Sequence, residues 1–254
     1  MNAAWSKLCP LQYIPSLGIR LHVLHQSEYM WQAEASHAAA ALQAALPLQL
    51  ARYSAAEPWW AFLWPGGFAV STAMLKSTPA RQALAGSTFI DIGTGCGVAA
   101  ITAAAHTTCA RIIGNDIDPL ACAVARANVA ANACSARYRT RVRINHSDVL
   151  ALSSQDQVSW LQARSHTGCM SAIVLGLGDM LYDADIAPYA LQLASTVVQA
   201  GGKALVGDPG RAGLPGLAAR EAFGWVPLGS WPLQSPAVEA GAGYAEAGAW
   251  LLQR

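Results

Sequence analysis

With 54% hydrophobic and only 12% charged residues over 254 positions, the chain can bury a large apolar core, which excludes a disordered or low-complexity protein and fits one main domain. A net charge of +1 supplies no global field for nucleic acid or a membrane surface, and the longest apolar run, near 98–105, contains Thr102 and ends at His106, short of a membrane span. Cys9, Cys96, Cys109, Cys122, Cys134 and Cys169 form no C-x-x-C pair and the six histidines show no ligand spacing, so no metal site is expected and the thiols read as those of a reduced intracellular protein.

In chain order, "MNAAWSKLCPLQYIPSLGIR" carries Lys7 and Arg20 with no acid before Glu28, but it lacks the apolar region of a signal peptide. The expected compartment is the cytoplasm, or the mitochondrial matrix in a eukaryote. The Ala/Leu-rich stretch that follows should be helical until Pro47 stops it, making residues 1–56 an N-terminal helical extension. Residues 57–254 form the main domain. Strand-like runs near 87–92, 110–116, 140–146, 171–177 and 202–207 alternate with helical runs near 97–106, 119–133, 154–164, 185–200 and 211–221. That alternation predicts a Rossmann-like α/β fold, a mostly parallel sheet with helices on both faces. Asp118 and Pro119 mark one helix start as N-cap and first helical residue. Two last strands, near 222–229 and 246–253, are separated by "LQSPAVEAGAGYAE", which has no helical pattern. They should therefore pair antiparallel as a reversed last strand pair, giving seven strands in all.

"STFIDIGTGCGVAAITAAAH", residues 87–106, reads as a buried strand, a turn with Gly93, Gly95 and Gly97, and a helix. Such a turn brings backbone N–H groups close to an adenosine-containing ligand. A dinucleotide fingerprint needs a third glycine at 98, where the chain has Val98, and Asp91 would repel a pyrophosphate. A carboxylate there suits the ammonium and sulfonium of S-adenosylmethionine. In "RIIGNDIDP", Asp116 ends the second strand, where it can accept both ribose hydroxyls. In "NHSDVL", Asp148 follows the third strand and can accept from the adenine amino group, or can serve as a surface turn residue.

"VLGLGDMLYDAD" follows the fourth strand and places Asp179 and Tyr182 as D-x-x-Y, a carboxylate to orient an amine and a ring to pack on it. Met180 and Leu181 stand where enzymes acting on nucleic-acid bases usually have prolines. "EPWWAFLWPGG" concentrates Trp59, Trp60 and Trp64 before a Pro-Gly-Gly turn. Trp59 and Trp60 suit the core, and Trp64 suits cofactor contact. In "ARYRTRVRI", Arg137, Arg139, Arg141 and Arg143 would share one face of a strand, read as charges protecting a sheet edge rather than as a nucleic-acid stripe.

Together "EPWWAFLWPGG", "DIGTGCG", "NDIDP", "LGDMLYD" and "VGDPGR" resemble the seven-strand lysine methyltransferases, and among them those of the electron transfer flavoprotein β subunit. The resemblance spans residues 57–211 and extends more loosely through "AGAWLL". It implies a seven-stranded methyltransferase sheet and S-adenosylmethionine held by the glycine loop and Asp116. Asp179 and Tyr182 would line the lysine channel, with Asp208 the next strand-end acid facing it. The implied partner is a protein substrate, first the electron transfer flavoprotein β subunit, with no nucleic acid and no membrane. Remaining alternatives are a ribosomal or other protein, a small-molecule amine, a nicotinamide-dependent oxidoreductase and a non-catalytic cofactor-binding scaffold.

Overall fold

The computed structural model describes residues 9–23, 59–133, 138, 141–233 and 243–253. Its first element is a hairpin, β1 (Leu11–Ile14) and β2 (Ile19–His22), paired antiparallel. Ile19, Leu21 and Val23 are buried while Arg20 and His22 turn outward, a strand period of two. Asn128 and Asn132 accept the free edge, from His22 N at 2.6 Å and Arg20 N at 2.8 Å. The described part of residues 1–56 is thus strand packed onto the main domain, not a helical extension. The Ala/Leu-rich stretch expected to be helical lies outside the described residues.

A short 3-10 turn, Trp59–Ala61, leads into α1 (Pro65–Lys76) and α2 (Thr78–Leu84). Pro65-Gly66-Gly67 is therefore the first turn of a helix rather than a connecting turn. Pro65 occupies a first-turn position where its missing N–H costs nothing. Every residue from Pro65 to Met74 is buried, so α1 has no polar face to give it a helical period in the sequence. Its two glycines let it lie flat on the ends of two strands: a Cβ at Gly66 would collide with Gly207 O, and one at Gly178 would come within 2.7 Å of Gly67 Cα.

The remaining chain alternates β3 (Thr88–Ile92), α3 (Val98–His106), β4 (Arg111–Asp116), α4 (Pro119–Ala131), β5 (Val142–His146), α5 (Ser154–Arg164), β6 (Ile173–Gly178), α6 (Ala187–Gln199), β7 (Lys203–Asp208), α7 (Leu217–Ala222), β8 (Trp225–Pro232) and β9 (Glu246–Leu252). The seven-stranded sheet has the order β5-β4-β3-β6-β7-β9-β8. β3 to β7 are parallel, and the last two strands pair antiparallel with β9 entering between β7 and β8. Phe89, Ile112, Val174 and Leu205 face a core shared with α1 and α3. Ile90, Ile113, Leu175 and Val206 face one shared with α6. Both faces are covered, so the central strands read as continuous apolar runs. Arg141 has helical backbone and β5 starts only at Val142, so the arginines do not form one strand-borne stripe; Arg137 and Arg139 lie outside the described residues. No helix among the described residues is long and apolar enough to cross a membrane.

Candidate active site

From β3 the chain runs one way through β4 and β5, then returns to place β6 on the other side of β3. Ligands of open α/β sheets bind outside the carboxyl ends of the strands at such a switch point. A cleft of about 1160 Å³ opens there, walled by Trp64, Gly93, Gly95, Asp116, Asp148, Asp179, Tyr182 and Arg211, among others.

The glycine loop begins directly after β3. Gly93 and Gly95 have φ of 65° and 52°, left-handed backbone that costs other residues about 1–2 kcal/mol. Thr94 N donates to Asn115 O at 3.0 Å, tying the loop to the end of β4. Gly95 N donates to Asp116 Oδ2 at 2.9 Å, and Asp118 N to Asp116 Oδ1 at 3.0 Å. Asp116 is thus fixed at the junction of loop and strand while its remaining lone pairs face the cleft. Burial pushes its pKa above the usual carboxylate value, against those backbone hydrogen bonds. Asp118 caps α4 through Leu120 N at 2.7 Å, as its position before Pro119 suggested. Asp148 lies at the far end of the cleft and is exposed, with one oxygen accepting Ala151 N at 3.2 Å.

Two residues expected at the ligand stand behind the loop and do not line the cleft. Asp91 is 3% exposed and accepts from Thr94 Oγ1 at 2.6 Å; burial pushes its carboxyl up to about 7. Its strand position turns it into the sheet face opposite Gly176, where a side chain would crowd Asp91 Oδ1 at 3.3 Å. Gly97 is the N-cap of α3 and packs toward Ala125. Both shape the loop from beneath.

At the other end of the cleft, Asp179 is the sole non-glycine residue with positive φ among the described residues, at 57°. Asp179 Oδ2 accepts from Gly66 N, and Oδ1 accepts from Arg211 Nε at 2.6 Å. Burial pushes the Asp179 carboxyl up to about 6, opposed mainly by Arg211. Both oxygens accept from protein groups, so Asp179 is anchored on the cleft wall by Gly66 N and Arg211 rather than standing free. Tyr182, 52% exposed, does face the opening.

Arg211 escaped the sequence reading. Asp208 Oδ1 accepts from Gly210 N and Arg211 N, both at 2.7 Å, and this turn sets the Arg211 backbone. Asp208 itself is 1% exposed and does not line the cleft. The Arg211 guanidinium lies 5.7 Å from the Trp64 ring centroid and 5.5 Å from that of Tyr244. The available signal was the turn-forming D-P-G before an arginine, directly after a strand. Trp64 Nε1 donates to Trp59 O at 2.6 Å, Trp60 is buried, and Trp59 is half exposed beside the cleft. Among the described residues no group of three or more metal-ligating side chains converges.

Residues 70–159 match the family model described as ribosomal protein L11 methyltransferase (PrmA). The chain is similar to curated electron transfer flavoprotein β-subunit lysine methyltransferases. Identity is 34% to that of Xenopus laevis (61% of this chain, 54% of the relative) and 31% to that of Mus musculus (76% and 66%). The chain therefore spans about half to two thirds of the length of these relatives. A solved structure described as a candidate RNA methyltransferase from Pyrococcus horikoshii superposes with a TM-score of 0.51 at 13% identity, covering 78% of this chain and 89% of that one. This last likeness is one of fold.

Proposed function

We infer, from a chain that has the seven-strand methyltransferase fold and is similar to the electron transfer flavoprotein β-subunit lysine methyltransferases, that it is an S-adenosylmethionine-dependent protein-lysine N-methyltransferase with that β subunit as substrate. The observation carrying the cofactor reading is the Asp116 carboxylate fastened at 2.9 Å to Gly95 N on the wall of the cleft. This sets an acceptor for paired ribose hydroxyls beside a loop whose surface is open. A Cβ built at Gly95 meets nothing closer than 3.9 Å, so the loop leaves room for a ligand, which the residues present fit. Bound there, S-adenosylmethionine supplies an electrophilic methyl group on its sulfonium.

The chain's own groups then divide the work. Gly93 and Gly95 bring backbone to the ligand, Asp116 accepts from the ribose, Asp148 from the adenine amino group, and Trp64 packs against it. At the acceptor end a lysine with an ordinary pKa of ~10.4 must present a neutral amine. Desolvation in the cleft disfavours the ammonium and so favours the neutral form, the proton leaving to water. Asp179 holds Arg211 in place, and the exposed Tyr182 ring packs along the incoming side chain. Alignment in the cleft is the main source of acceleration. By the same reading the protein works where its substrate resides, in the cytoplasm or, in a eukaryote, the mitochondrial matrix.

A ribosomal protein is the second reading, favoured by the family model over residues 70–159. Incubation with methyl-labelled cofactor, offering the flavoprotein β subunit and ribosomal proteins in separate reactions, distinguishes the two. Label confined to RNA or to small molecules contradicts both.

A further inference from the structure

Toward the amino ends of β4 and β5, a second hollow of about 470 Å³ is lined by Arg111, Ile113, Arg141, Arg143, Asn145 and Arg164. The register pairs Ile113 with Arg143 and Asn115 with Asn145, so Arg111, Arg143 and Asn145 project from the same sheet face. α5 returns across that face and ends at Arg164. Arg111 opens β4 and Asp116 closes it, so these two residues stand about 16 Å apart at ~3.3 Å per residue, although Asn145 of this hollow pairs with Asn115 of the cleft.

Four guanidiniums converge here, and the only ion pair among the described residues is Arg211 with Asp179, elsewhere in the fold. The neighbours that accept from these arginines are neutral. Arg141 donates to Ala104 O at 2.6 Å, Thr107 O at 3.2 Å and Cys109 O at 3.0 Å, at the end of α3. Arg111 donates to Arg164 O at 3.0 Å and Ser165 O at 3.4 Å, at the end of α5. Those carbonyls, at helix C-termini, offset the charge of Arg111 and Arg141 only in part, and none belongs to a carboxylate. Capping explains Arg111 and Arg141, but not the convergence of Arg143 and Arg164 on the same hollow. Arg143 donates only to Val142 O, at 3.2 Å, and Arg164 lies 3.8 Å over the Trp160 ring while donating to Trp160 O. Arg141 Nε and Arg164 Nε are buried donors with no hydrogen-bond partner, and such groups cost about 1–3 kcal/mol each when left unmet.

We propose that this pocket is an anion site, separate from the methyl-transfer cleft, for a multiply charged phosphate-type ligand of diphosphate size. Guanidinium groups match phosphate oxygens two at a time, and a concave wall suits a compact ligand better than an extended strand. The site does not depend on the identity of the methyl acceptor.

The test is thermal unfolding of the full chain in increasing pyrophosphate, with sodium chloride at equal ionic strength as the control. Pyrophosphate should raise the midpoint saturably beyond the salt control, as expected for a ligand of the folded state. Arg143→Gln and Arg164→Gln should each raise the half-saturating concentration by about tenfold or more, while S-adenosylmethionine affinity, which uses neither side chain, stays unchanged. Arg143 is exposed and bonded only to its neighbour's carbonyl, so its variant should fold normally. A rise no larger than in chloride, or an equal rise in both variants, overturns the proposal. So does a single-stranded oligonucleotide that binds these arginines and is not displaced by pyrophosphate.

Discussion

Asp179 and Arg211, 32 positions apart in the sequence, meet at 2.6 Å on the wall of the cleft. The pair joins the ends of β6 and β7, and through Gly66 N it also holds the start of α1. A carboxylate read from the sequence as the amine's own partner is thus the anchor of a cation on the cleft wall.

Asp179→Asn should therefore disturb Arg211 more than the cofactor. We expect turnover to fall about 10²-fold, the scale of one lost positioned electrostatic contact, with S-adenosylmethionine affinity nearly intact. Stability should drop by about 1–3 kcal/mol, since one partner of a charged hydrogen bond is removed. Arg211→Gln should give a similar turnover loss, and the double variant should lose less than the sum. Initial rates, calorimetry and denaturant unfolding read these quantities. Additive losses would separate the two residues.

Asp116→Ala should weaken S-adenosylmethionine binding by about 1.5–3 kcal/mol, for loss of hydrogen bonds to a charged acceptor. The same change frees Gly95 N and Asp118 N, so Asp116→Asn, which keeps acceptor oxygen, should recover part of the affinity. Calorimetric titration of both variants checks this; unchanged binding in the alanine variant removes Asp116 from the site.

Gly95→Ala probes the loop with little steric interference. Its Cβ meets nothing within 3.9 Å, but the backbone stands at φ 52°, so the fold should lose about 1–2 kcal/mol. Ligand affinity should fall further than that strain accounts for, because the methyl group fills space above the loop. Equal affinity in the variant would make the loop a turn with no binding role.

Asp91 gives a pH dependence of defined sign. Its folded carboxyl titrates near about 7 because it is buried, against ~3.9 when unfolded. A raised pKa contributes stability that is fully present below about pH 4 and is lost as pH rises to about 7. Asp91→Asn removes that loss. Relative to the wild type, the variant should gain stability as pH rises through this window, measured by urea unfolding at several pH values. A constant difference across the window contradicts the assignment.

The parallel strands were legible because β3, β4, β6 and β7 are short apolar runs bounded by glycine, aspartate or proline, with helical periods between them. α1 was not, since Pro65 and two glycines open it and its burial on every side removes any amphipathic signal. The hairpin at Leu11–His22 does carry a strand alternation, but the nearby Ala/Leu-rich segment dominates the local composition. In the site, Gly93, Gly95 and Asp116 follow from local motif and strand position. For Arg211 the D-P-G turn marks only a position after a strand; its role depends on tertiary contact with the Asp179 carboxylate across a neighbouring strand. The same holds for Asp91, whose burial behind the loop depends on which sheet face its position reaches.

The most direct measurement is tandem mass spectrometry of electron transfer flavoprotein β subunit after incubation with the purified chain and methyl-labelled S-adenosylmethionine. The expected result is label on a lysine ε-nitrogen, absent when Asp116→Ala replaces the wild type at limiting cofactor. Label on any other side chain, or on no protein residue while the folded chain binds the cofactor, contradicts lysine methylation by this cleft.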